Sequence, residues 1–305
     1  MKKLISFVGI GHPRDGYQYA TYCFDDGFNF RSKLVQLAIA AHEVTINRTP
    51  FDAVFLLMTT ESKKRYLHEL MEGFGYYGIL SDHVKIFDGI DTSKQDAASQ
   101  WKWFSTLCSE IQDTDEIVFD FTHGFRSVPI IFATAIHFFQ TISNFNLLHA
   151  YYGFIETSNG IQDENRGRFV DLAQFFDLNR WATASAFFAR SADASMFSEL
   201  MKSNATPGLF TFLQESGLSN TMEALSSIIK DVDVHHASDK AFEAVKILES
   251  KEGRLEAPEK LVLDKICSVF KRLSAYSAHH HSKWVRSCLD GKKIPRKSND
   301  CLKSG

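Results

Sequence analysis

The chain has 305 residues, 44% of them hydrophobic and 23% charged, with a formal net charge of -3. This composition excludes a disordered chain and gives no overall attraction for nucleic acid, so any contact with RNA or a nucleotide must come from a local basic site. The length exceeds that of the usual single domain and predicts two cores, rich in aromatic packing from the 27 Phe.

Cys23, Cys108, Cys267, Cys288 and Cys301 are scattered without C-x-x-C spacing, which argues for a reducing, cytoplasmic setting and against a zinc knuckle. Met1-Lys2-Lys3 opens a short apolar run that soon meets Gly9, Gly11, His12 and Pro13, unlike a signal peptide. The longest apolar region, 128–155, is interrupted by His137, Gln140, Ser143, Asn144, Asn146 and His149, so no membrane span is expected.

Residues 4–9 have the length and the β-branched or aromatic content of a buried strand, and 53–58 form a second. Between them, 30–43 place Leu34, Leu37, Ala38 and Ala41 at helical spacing, so strand, helix and strand make a crossover unit and imply a parallel sheet. A helix over 62–73, a short strand over 84–87, a helix over 97–112 with Trp101, Phe104 and Leu107 along one side, and a strand over 117–120 follow. An apolar helix over 129–141 starts at Pro129, where helices tolerate proline, and 147–154 is expected to close the sheet. The stretch 157–167, with Gly160 and Gly167 among polar residues, reads as a linker. Beyond it helical periodicity takes over, at 169–176, 179–190, 194–202, 207–215, 220–230, 238–248 and 259–282. The fold class is therefore α/β, a Rossmann-like parallel-sheet domain over 1–160 followed by an all-helical domain over 161–305.

Open α/β sheets place their chemistry at the carboxyl ends of the strands, where three loops qualify. In Gly9-Ile10-Gly11-His12 the glycines let backbone amides approach a ligand. Thr59-Thr60-Glu61 offers two hydroxyls and free amides at a helix start, suited to a phosphate or, equally, to an N-cap. Asp120-Phe121-Thr122-His123-Gly124-Phe125-Arg126-Ser127 packs hydroxyl, imidazole, glycine and guanidinium into one turn, a set able to hold phosphate and to leave His123 beside a ribose.

These residues, above all the Asp-x-Thr-His-Gly-Phe-Arg element, resemble the CARF domain (CRISPR-associated Rossmann fold) of type III CRISPR accessory proteins, over about residues 1–160. The resemblance implies a sensor of cyclic oligoadenylate, an allosteric ligand rather than a cofactor. It would be the four- or six-membered ring, bound across a homodimer with one half-site per subunit. Gly9, Gly11, Thr59, Thr60, Thr122, His123, Gly124, Phe125, Arg126 and Ser127 would line the pocket. Some CARF domains also cleave their ligand slowly.

The helical half, at Asp177-Leu178-Asn179-Arg180-Trp181-Ala182 through Phe187-Phe188 and Asp193, resembles the opening of a HEPN ribonuclease domain. That family carries an arginine and a histidine a few residues apart in a dimer cleft, and Arg272 and His279 match it, although Leu273 stands where a polar residue is usual. The resemblance implies metal-independent cleavage of single-stranded RNA. Arg272 would stabilise the pentavalent phosphate and His279 would move a proton or position the scissile group. No metal site is expected: His279-His280-His281 point in different directions on a helix, and His235-His236 lack a second motif. The alternative is a non-catalytic sensor whose helical half binds a protein or nucleic acid, with the basic tail Lys292, Lys293, Arg296 and Lys297 as its hint. An ordinary dinucleotide enzyme is disfavoured, because no G-x-G-x-x-G follows the first strand.

Overall fold

The first strand, β1 (Lys2–Val8), is buried at every position from Lys3 onward, and the rest of the sheet assembles on both of its edges. It pairs in parallel with β4 (Ala53–Met58) and β6 (Glu116–Asp120), while β5 (Val84–Phe87) adds to β4 and β7 (Asn146–Glu156) to β6, also in parallel. The computed structural model describes residues 1–87, 97–123, 128–143, 145–156, 166–191, 193–202, 217–230, 234–250 and 259–274.

Helices cover both faces, which is why β4 reads Ala-Val-Phe-Leu-Leu-Met without alternation. On one face Leu4, Val54, Leu56 and Val118 pack with Leu37 and Ala38 of α1 (Val35–Thr45) and Leu70 and Phe74 of α2 (Thr60–Tyr76). On the other, Ile5, Phe7, Phe55, Leu57 and Phe119 pack with Leu107 of α3 (Ala97–Glu110) and Phe132, Ile136 and Phe139 of α4 (Val128–Ile142). The two leading lysines sit inside this framework: Lys3 Nζ donates to Asp115 Oδ2 at 2.5 Å and to the Glu110 carbonyl at 2.7 Å, and Lys2 pairs with the buried Glu43.

The sheet extends further than the sequence suggested. Residues 30–32, expected as the start of a helix, belong to strand β3 (Asn29–Ser32), paired antiparallel with β2 (Ala20–Cys23). Residues 166–171, expected as linker and helix, form β8 (Arg166–Asp171), antiparallel to β7 and parallel to β2. The eight strands run β3-β2-β8-β7-β6-β1-β4-β5, so β7 does not close the sheet. Arg166-Gly167-Arg168-Phe169-Val170 alternates exposed and buried positions, the signature of a half-covered antiparallel strand. Phe169 packs on Tyr22, Phe24 and Tyr151, and a Cβ at Gly167 would lie 2.6 Å from the Tyr22 ring.

Two compact units divide between Arg180 and Trp181, within α5 (Ala173–Ser191). The second unit is helical throughout its described residues, with α6 (Ser195–Lys202), α7 (Leu218–Lys230), α8 (Val234–Ser250) and α9 (259–274). Its core joins Trp181 and Phe188 of α5 to Phe197 of α6 and Phe270 of α9, with ring centroids 5.4 to 5.9 Å apart. The expected helix over 207–215 lies outside the described residues, as do residues 275–282. No helix among the described residues is long and apolar enough to cross a membrane.

At Gly73 helix α2 lies close against α1, because a Cβ there would be 2.5 and 2.7 Å from the two methyls of Leu37. Alanine favours a helix over glycine by about 1 kcal/mol, but overpacking costs about 1–3 kcal/mol, so Gly73→Ala should lower unfolding free energy by about 1 kcal/mol. Denaturant unfolding of Gly73→Ala, Leu37→Ala and the double variant should show losses that fail to add by more than about 0.5 kcal/mol. Additive losses would place the strain elsewhere.

Candidate functional site

After β1 the chain first forms β2 and β3 at the far edge, then adds β4 and β5 on one side of β1 and later β6 and β7 on the other. Strand order therefore reverses between β1 and β6, at the carboxyl ends where such sheets take ligands. Two loops meet there, 9–17 after β1 and 121–123 after β6.

Glycine is required twice in the first loop. Gly11 has φ +67°, and a Cβ on it would lie 2.6 Å from the Gly16 carbonyl carbon. At Gly9 the need is space: a Cβ would come within 3.0 Å of both the His123 carbonyl oxygen and the Tyr17 hydroxyl. Reciprocal amide-to-carbonyl bonds between His12 and Gly16, 3.1 and 2.9 Å, close the turn. Helix α2 fixes it from outside: the Tyr66 hydroxyl accepts the Tyr17 amide and donates to the Ile10 carbonyl, each at 3.0 Å, and Arg65 Nη2 donates to the Pro13 carbonyl at 2.9 Å.

The second loop is held by Asp120, the last residue of β6. Its carboxyl is buried and receives the Ser6 hydroxyl at 2.6 Å, the Gln36 amide at 3.3 Å and, on the other oxygen, the Thr122 backbone amide at 3.0 Å. Burial pushes this carboxyl above the usual carboxylate range, and the hydrogen bonds from Ser6, Thr122 and Gln36 oppose that shift. Thr122 in turn accepts the Gly153 amide of β7 through Oγ1 at 2.8 Å, so the loop is fastened on both sides.

His123 is the reactive group this framework presents. Its ring lies against Tyr17, centroids 4.0 Å apart, and its Nε2 is closed off from solvent without a hydrogen-bond partner among the described residues. Burial lowers its pKa to about 4, so the ring is neutral at physiological pH. Burial likewise pushes the Tyr17 phenol upward, with its neighbours Tyr66 and Asp120 adding to the shift, so Tyr17 stays protonated. Neutral imidazole and phenol are suited to hydrogen bonding and stacking rather than to charge pairing.

Of the expected ligand residues, Gly9 and His123 are brought into contact, and Gly11 and Thr122 shape the two loops that carry them. Thr59 and Thr60 follow β4 at the same edge, but the Thr59 hydroxyl is consumed as the N-cap of α2: it accepts the Ser62 amide at 3.0 Å while Ser62 Oγ accepts the Thr59 amide at 2.9 Å. Thr60 is exposed. Gly124, Phe125, Arg126 and Ser127 lie outside the described residues. Arg272 is exposed on α9, its Nε donating to the Ser268 carbonyl at 3.3 Å, and His279 lies outside the described residues. Sequence reasoning missed Ser6, Tyr17, Gln36 and Tyr66, which carry no motif. Only a polar residue inside an apolar strand, as at Ser6, could have signalled one of them.

His123 gives the site a pH signature. Its ordinary pKa is 6.5 and its folded value about 4, so between those limits the unfolded chain binds a proton that the folded chain does not. Stability from this group is present above pH ~6.5 and is lost as pH falls toward ~4, by on the order of 3 kcal/mol. Asp120, shifted upward, acts in the opposite sense, so the effect is read as a difference. In urea unfolding, wild type should lose stability relative to His123→Phe by that amount on acidification. Parallel pH profiles would show that His123 is not held neutral.

No family model matches the chain. It is similar to CRISPR-associated protein MJ1674 of Methanocaldococcus jannaschii, 29% identical over 114 residues, which cover 37% of this chain and 17% of that protein.

Proposed function

We propose that the first unit senses a cyclic oligoadenylate at the β1–β6 switch point and that the second unit is a ligand-gated, metal-independent ribonuclease acting on single-stranded RNA. The observation that carries this is the junction of Gly9, Tyr17 and His123: a bare backbone, an aromatic face and a neutral imidazole with an unused nitrogen meet at the switch point of the sheet. The Asp-x-Thr-His-Gly-Phe-Arg element begins at Asp120 in this loop, and the similarity to a CRISPR-associated protein supports a CRISPR-related role.

In this mechanism loop amides and the Arg126 guanidinium hold the ring's phosphates, and the neutral His123 lies beside a ribose without introducing charge. A symmetric ring fits a symmetric dimer, so two chains share one ligand. The ring would gate the helical unit only by binding one arrangement of the dimer better than the other. In the open state Arg272 stabilises the phosphate as a ribose 2′-hydroxyl attacks it, and His279 serves proton transfer.

Calorimetric titration with cyclic tetra- and hexa-adenylate should give saturable binding of one ring per two chains. Arg126→Ala should weaken it about ten- to hundred-fold, the usual range for a hydrogen-bonded charge on phosphate. Failure of both rings to bind would overturn the sensor assignment. Cleavage of single-stranded RNA should depend on the bound ring, tolerate EDTA, and be lost in both Arg272→Ala and His279→Ala. Cleavage that survives both changes refutes the catalytic assignment, and ligand binding without any cleavage identifies a non-catalytic sensor.

A further inference from the structure

Tyr17 ends the first loop, and its ring packs against two others. Its centroid is 4.0 Å from that of His123 and 5.0 Å from that of Tyr66, with interplanar angles of 32° and 31°. The phenol oxygen reaches the Gly9 backbone, since a Cβ on Gly9 would come within 3.0 Å of it. Burial pushes the phenol upward and the Gly9 backbone opposes that shift, the effect of an N–H directed at the oxygen. A flat ring thus fills the space beside an imidazole and a second phenol, with its polar tip at a strand-end glycine.

A nucleotide base would use the same partners. A purine stacks on aromatic faces as a phenol does, and its ring nitrogens accept N–H groups. The room that Gly9 leaves for a close approach is taken by the chain's own side chain. His123 Nε2 is closed off from solvent and has no partner among the described residues, so a ligand reaches this imidazole only when a group that covers it moves. Tyr17 is the described aromatic ring that lies against it.

The backbone and the ring of Tyr17 are held separately. Its amide donates to the Tyr66 hydroxyl at 3.0 Å, and Gly16 before it, at φ +70°, has no space for a Cβ, which would lie 2.5 Å from that hydroxyl. Residues 17–19 belong to no helix or strand, and Tyr17 is itself partly exposed. Rotation about its side-chain bonds between staggered positions therefore carries the ring outward while the loop stays fastened to α2.

We propose, building on the sensor reading above, that Tyr17 is an internal stand-in for a ligand base: in the free chain it occupies the base position beside His123, and the ligand binds by turning the phenol out and taking its place. The site is then closed by its own side chain until a base competes for it, and apparent affinity is reduced by the fraction of chains whose ring is out. Removing the stand-in strengthens binding, the opposite of what removing a ligand contact does.

The test is calorimetric titration of the full chain, as wild type, Tyr17→Ala and Tyr17→Phe, with cyclic tetra- and hexa-adenylate and separately with adenosine 5′-monophosphate, which probes the base position without a ring. Tyr17→Ala should bind about ten-fold more tightly than wild type, because two aromatic contacts no longer hold the site shut. Tyr17→Phe keeps the stack and loses only the hydroxyl at Gly9, so it should bind about three-fold more tightly, and it decides the matter where Tyr17→Ala does not fold. Equal or weaker binding in the folded variants overturns the stand-in and, where wild type binds a ring, leaves the sensor reading intact. Tighter binding of the monophosphate by the variants, with no ring bound by any of the three chains, supports the stand-in and removes the sensor reading. No binding of any ligand by any of the three overturns both.

Discussion

A carboxyl group withdrawn from water costs several kcal/mol unless its oxygens are met by donors, and Asp120 meets that condition only if three separate pieces of chain are in place. Ser6 comes from the middle of β1, Gln36 from the first turns of α1, and the Thr122 amide from the turn that follows β6. Register and helix placement are therefore fixed by one small group. Ser6 lies directly opposite Asp120 in the β1–β6 pairing, and a slip by one residue would bring an apolar neighbour to the carboxyl. The turn that presents His123 inherits its position from this arrangement.

The same arrangement encloses the His123 ring. Gly9 lets the first loop settle against the His123 carbonyl, Tyr17 closes over the imidazole, and Tyr66 holds Tyr17 by its amide. Each contact removes water from the ring and so keeps it uncharged. A neutral ring beside glycine backbone suits the ligand proposed above, since a permanent charge in that spot would bind phosphate without selecting for the rest of it.

The parallel core of the sheet was legible because burial on both faces leaves runs such as Leu4-Ile5-Ser6-Phe7-Val8 and Ala53-Val54-Phe55-Leu56-Leu57-Met58 that few other structures explain. The edge strands were not. β2 and β3 are four residues each, too short for a period to register, and Phe30, placed in a helical pattern with Leu34 and Leu37, belongs to the hairpin instead. In β8 the alternation was present, but Gly167 suggested a linker when its role is to admit the Tyr22 ring. Thr59 illustrates a different limit: a hydroxyl at a helix start serves a cap or a ligand with the same local sequence, and only the partner atoms tell them apart. Tyr17 and Tyr66 reach the site through tertiary contacts that no spacing encodes.

Helix α1 and strand β7 each serve two polar networks of the first unit. Helix α1 carries Gln36 at Asp120 and His42 at Asp26, and in β7 the Gly153 amide donates to Thr122 while the Ala150 amide, three residues earlier, donates to Asp171. Asp171 in its turn accepts the Ala173 amide at the first turn of α5, where a negative charge also suits the helix dipole. A strand paired on both sides is stiff, so β7 transmits a displacement rather than absorbing it. Of the two contacts along it, Thr122 is fastened, whereas the His149–Asp171 pair has side chains about one-third exposed. Coupling along such a route requires two stable arrangements of that pair, because a route with one arrangement carries force but no information.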